Sequence, residues 1–256
     1  MRRIVTFPIL LIASFIGAGT IAQGAPSRST HASASPSQEV KLQMDMRKLW
    51  EDHIAWTRNY IISALADLPD LDPVAKRLLK NQDDIGDAVA KFYGADAGSK
   101  LAALLRDHIM IAGEVVKAAK AGNNDQVQAQ QQKWTANAKD IATFLSGANP
   151  NWSPRDLEDM LQKHLDFTTT ETVSRLKKDW AADIKAYDDN HIHMLMFSDM
   201  LTDGIVEQFP AKFPAKFSGR ASDRDESTGH VTSRQSRSTT GSESGARTAP
   251  RQRRSY

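Results

Sequence analysis

Asp107-His108-Ile109 decides the fold, because the chain carries a near-copy of it and of the residues after it. Asp52-His53-Ile54 lies 55 positions earlier. Asn81, Asp84 and Ile85 come after the first copy, and Asn137, Asp140 and Ile141 after the second. The His-to-Asn spacing is 28 in one and 29 in the other. A helix stop comes fourteen residues after each His, at Asp67 before Leu68-Pro69 and at Gly122. Such self-similarity is the mark of a repeated helix-turn-helix unit. A fainter third copy starts at His164, with Asp179 as its stop and Asp199 where the Asp falls.

Apolar residues recur at three- and four-residue spacing from about residue 40 to 210, and strand signals are nearly absent. The spacing predicts an all-α domain: six helices in three antiparallel hairpins. The first helix runs from about Val40 to Ala66, and Pro69 stops it. Asp72 and Pro73 open the second, Gly94 ends it, and the third begins near Asp96 or Ser99. Gly122 suits a left-handed C-terminal residue and Asn124 caps the fourth. Ser153-Pro154 opens the fifth. A break near Lys178-Asp179, which no Gly or Pro marks, rests on the repeat alone. The sixth then runs from Trp180 to about Phe209.

The flanks read differently. Residues 1–24 combine a basic start, an apolar run from Ile4 to Ile16 and small residues, which predicts a cleaved signal peptide and a periplasmic or secreted protein. Residues 25–39 read as a flexible linker and residues 211–256 as a disordered tail rich in Ser and Arg. A basic tail suits anionic surfaces, yet its composition carries no specific nucleic-acid contact. The chain has no cysteine, so disulfides and thiolate metal sites are excluded.

Along a hairpin both arms rise about 1.5 Å per residue, which sets His53 level with Asp84 and His108 level with Asn137. The histidines then have two readings. In the first, each imidazole is a buried clasp paired with the facing Asn-x-x-Asp, and the polar cluster is His53, Asn81, Asp84, His108, Asn137, Asp140, His164 and Glu171. In the second, His53, His108 and His164 bind a divalent metal, provided that the hairpins pack about a common axis. His191, His193, Met196 and Met200 suggest copper chemically, but Met at such spacing is also ordinary core filler. No phosphate loop, nucleophile elbow, His-Glu-x-x-His or Glu-x-x-His is present. No cofactor is required, and an enzyme of unknown reaction is a third class.

Several stretches carry a resemblance: Leu49-Trp50-Glu51-Asp52-His53-Ile54-Ala55-Trp56-Thr57-Arg58, Asn81-Gln82-Asp83-Asp84-Ile85-Gly86, Phe92-Tyr93-Gly94, Ala118-Ala119-Lys120-Ala121-Gly122, Asn149-Pro150-Asn151-Trp152 and Gln208-Phe209-Pro210. Over about residues 44 to 213 the chain resembles a family of small helical proteins from bacteria and some archaea. Some members of that family carry the labels glycosyltransferase or acetylglutamate kinase. Either activity would need an α/β sheet and a phosphate-binding loop, which this pattern lacks, so the resemblance transfers no catalytic residue.

Overall fold

A computed structural model describes residues 37–214, and all the regular structure among them is helical. The expected signal peptide, the linker up to residue 36 and the tail from residue 215 lie outside the described residues. Six helices run in order: α1 Gln38–Leu65, α2 Leu71–Tyr93, α3 Ala95–Lys120, α4 Asn124–Ala148, α5 Pro154–Leu176 and α6 Trp180–Gln208. A single 3-10 turn, Pro210–Lys212, closes the series. No helix among the described residues is long and apolar enough to cross a membrane.

The caps explain the boundaries. Ser37 accepts from the Val40 amide and starts α1 two residues ahead of the expected position. Ser153 accepts from the Asp156 amide with Pro154 in the first turn, as its sequence suggests. Asn123, rather than Asn124, caps α4 by accepting from Gln126. The turns after α1, α3 and α5 share one geometry. Asp67, Gly122 and Lys178 all have positive φ, at 52°, 68° and 60°. One residue further on, Leu68, Asn123 and Asp179 each donate back to a carbonyl five residues earlier, on Ser63, Ala118 and Ser174. That bond satisfies an orphan carbonyl at the helix end. Lys178 therefore adopts the glycine-favoured conformation without glycine, which is why the α5–α6 break left no Gly or Pro in the sequence.

Each helix packs on its neighbours in sequence, and α6 returns to pack on α1. Helices α1, α3 and α5 also touch one another, α1 with α3 and α3 with α5. The core between them joins Trp50, Ile54, Ile85, Leu101, Leu105, Trp134, Ile141, Leu157, Leu161 and Phe197. Two close approaches depend on glycine. A Cβ at Gly98 would lie 2.5 Å from the Gly86 carbonyl oxygen, so α2 and α3 cross with almost no side-chain spacing. The Trp152 indole occupies the space where Gly204 on α6 lacks a side chain.

The start expected for the tail belongs to the bundle as far as the described chain runs. Phe213 stacks on Phe92 at 6.0 Å and 20°, and the Lys212 ammonium lies 5.2 Å from the Phe92 ring centre. Residues from three of the stretches that carry the resemblance meet at Tyr93. Its hydroxyl donates to Gln208 at 2.8 Å and accepts from Asn149 at 2.9 Å, and its ring lies 5.7 Å from that of Trp152.

Candidate functional site

The polar centre of the bundle is a cluster of three imidazoles, with His164 in ring contact with the other two. His53 comes from α1, His108 from α3 and His164 from α5, each on the inner face of its helix and at most 3% exposed. The His53 and His164 ring centres are 5.5 Å apart, and those of His164 and His108 5.9 Å. Trp50 closes one end against His53 at 5.7 Å, and Trp134 the other against His108 at 5.2 Å. Stacked or edge-on rings at these distances are mutually attractive when neutral.

Hydrogen bonds fix the protons. The Trp134 indole N–H, which can only donate, gives its proton to His108 Nε2 at 3.1 Å. His108 Nδ1 therefore carries the ring proton and donates to Asn137 Oδ1 at 2.9 Å. Asn137 Nδ2 donates in turn to the Leu104 carbonyl at 3.0 Å. His164 follows the same rule: Nδ1 donates to Asn190 Oδ1 at 2.9 Å, and Asn190 Nδ2 donates to the Thr168 hydroxyl at 3.1 Å. His53 differs. Gln82 Nε2 faces its Nδ1 at 3.3 Å, but the same amide also reaches the Leu78 carbonyl at 2.8 Å and Asn81 Oδ1 at 3.2 Å. Two protons serve three acceptors, and His53 has the longest of the three.

All the partners are uncharged, and burial decides the titration. Burial pulls His108 down to about 3 and His164 to about 4, against an ordinary value near 6.5. Burial also holds His53 well below its usual range, and the other two rings add to this. The three are neutral at physiological pH.

Two members of the expected cluster lie elsewhere. Asp84 is half-buried and pairs with Lys80, and Asp140 is exposed. Asn81 and Asn137 sit at the edge of the buried arcs of α2 and α4, which run on through Gln82 and Ile85, and through Ala138 and Ile141. Three positions further along, a helix has turned back by about 60°. The Asp side chains thus fall on the outer side of each Asn. Asp199, placed by the third copy, pairs with Arg47 on α1, and Asp179 caps α6.

Glu171 is buried but does not face the rings. It meets Arg58 of α1 at 2.7 Å. Arg58 also pairs with both oxygens of Asp183 on α6, and Arg175 reaches Asp183 at 2.9 Å. Burial pushes the Glu171 carboxyl up to about 7, with Arg58 opposing. The Arg58 guanidinium lies 5.2 Å from the Tyr187 ring centre. This second polar layer ties α1 to α5 and α6.

Sequence reasoning missed Gln82, Asn190, Trp134, Arg58 and Asp183. One signal was available: Gln82 lies 29 residues after His53, as Asn137 does after His108.

The metal reading meets two obstacles. Both nitrogens of His108 are committed to protein partners. Among the described residues no three His, Asp or Glu are grouped so as to hold a metal ion. The copper set does not assemble. His193 Nε2 donates to the Met160 carbonyl at 2.8 Å, His191 stacks on Tyr187 at 6.1 Å, Met200 packs against the core and Met196 points outward.

Five surface grooves have volumes of 370 to 670 Å³, and none is lined by His53, His108 or His164, although Trp134 lines one and Asp140 another. No family model, curated protein or solved structure matches this chain.

Proposed function

We propose that this chain is an exported, non-catalytic protein, periplasmic or extracellular, with a binding or envelope-associated role, built from three copies of one helical hairpin whose histidines act as structural clasps. One observation carries the clasp: each ring spends Nδ1 on a side-chain amide of the next helix, and none of the three rings lines a groove. A general acid or base must instead lie within hydrogen-bond reach of a substrate. The repeat draws support from the matching turns at Asp67, Gly122 and Lys178. It also draws support from the carbonyl four residues before each His. Leu49 accepts from Asn81, Leu104 from Asn137 and Met160 from His193. Binding then falls to the outer surface, and the resemblance to small helical bacterial and archaeal proteins adds no reaction to this reading.

Two measurements on untagged protein from its native host test it. Intact mass should show that residues 1–24 have been removed, and elemental analysis should find well under one metal ion per chain. Retention of Met1 would replace export by an N-terminal anchor. Stoichiometric metal that displaces the Trp134 bond to His108 would favour the second reading, a metal-binding bundle.

A further inference from the structure

Ten large apolar side chains are exposed among the described residues, and four of them lie on α6: Trp180 at 52%, Ile184 at 54%, Ile192 at 61% and Met196 at 58%. Together with exposed Asp188 they fall at every fourth position from 180 to 196. Residues at i, i+4, i+8 and onward form one continuous ridge on a helix, the kind that interdigitates with a like ridge at about −50°. The ridge runs along the solvent side of α6, opposite the buried Asp183, Ala186, Asn190, Met194 and Phe197.

The ridge is palindromic. Asp188 stands four residues from both Ile184 and Ile192, and eight from both Trp180 and Met196. A twofold axis through Asp188 therefore sets Ile184 against Ile192, and Trp180 against Met196, of an antiparallel second α6. This is the self-complementarity that an isologous contact needs. The charges around the ridge are mixed: Lys177 and Lys178 are exposed beside Trp180, and the Arg175 guanidinium lies 5.5 Å from its ring centre. Lys185 is paired with Asp189 at 2.6 Å, and the rest of the exposed face offers Asp188, Asp203 and Glu207.

We propose that α6 is a homodimerisation surface, with the Trp180-Ile184-Asp188-Ile192-Met196 ridge packing antiparallel on the same ridge of a second copy. The axis brings two Asp188 carboxylates together, and like charges so placed weaken an interface. The dimer is therefore reversible. It tightens when this repulsion is screened.

Sedimentation velocity of the full chain, from about 5 to about 300 μM, tests the proposal. Ile192→Glu should weaken the dimer at least about tenfold. Asp188→Asn should tighten it about three- to tenfold, and added salt should tighten the wild type. Both positions are exposed, so helix content should be unchanged. Three results would overturn the proposal: monomers throughout for both the wild type and Asp188→Asn, a dimer indifferent to Ile192→Glu, or a monomer whose binding to phosphatidylcholine vesicles is abolished by Ile192→Glu. The last would assign the ridge to a membrane surface.

Discussion

Acidification from pH 7 to about 4.5 is expected to remove at least about 2 kcal/mol of stability, a large share of that of a bundle of ordinary marginal stability. His53, His108 and His164 all titrate lower in the folded state than in the unfolded chain. For a base with a depressed folded pKa, the stability is present above the unfolded value and is lost as pH falls toward the folded one. His108 and His164 then each cost about 1.4 kcal/mol per pH unit below about 6.5, about 5 kcal/mol together at pH 4.5, and His53 adds in the same direction. Glu171 acts in the opposite sense. Its folded pKa is raised to about 7, so the folded state holds a proton that the unfolded state has released. That returns about 3 kcal/mol over the same window. Denaturant unfolding followed by circular dichroism at a series of pH values should show stability falling below pH 6.5, with a net uptake of at least about one proton on unfolding. A flat profile between pH 7 and 4.5 would mean that water reaches the rings.

The second large effect belongs to Arg58, whose guanidinium joins Glu171 and Asp183 across three helices. Both acids are almost fully buried, at 2% and 1% side-chain exposure. Arg58→Ala should cost about 3–5 kcal/mol, because removing one partner strands the other charges in the interior. Arg175 keeps its own bond to Asp183, and Glu171, already raised to about 7, takes up a proton when Arg58 is gone, so the loss falls mainly on the broken bonds of the layer. The triple change of Arg58, Glu171 and Asp183 to apolar residues of similar volume should cost much less than Arg58→Ala alone. If Arg58→Ala changed the urea midpoint by less than about 1 kcal/mol equivalent, the layer would be solvated rather than buried.

The helices were legible because their apolar spacing and caps are local. The repeat even placed the break at Lys178, where residue type gave no sign. The site was legible only in part. Three histidines on inner stripes identified the ring cluster, but a sequence does not say on which side of each Asn the buried arc extends. Asp84 and Asp140 were therefore assigned inward, and Gln82, one residue past Asn81, was passed over. Asn190 escaped because α5 and α6 meet differently from α1 and α2 or α3 and α4: His193 takes the carbonyl that Asn serves elsewhere, and an Asn one turn earlier takes the ring. Arg58 could not be matched to Asp183, because no local spacing connects residues 125 positions apart.

The clasp itself is tested most directly by double-mutant cycles of denaturant unfolding. His108→Ala and Asn137→Ala should each cost roughly 1–3 kcal/mol, since each strands buried polar atoms. Together they should cost less than their sum, with a coupling on the order of 0.5–3 kcal/mol. His53 with Gln82 should couple more weakly, given the 3.3 Å contact and the shared amide. His53 with Asp84 should not couple at all. A near-zero coupling between His108 and Asn137, or coupling among His53, His108 and His164 that a chelator abolishes, would contradict the account.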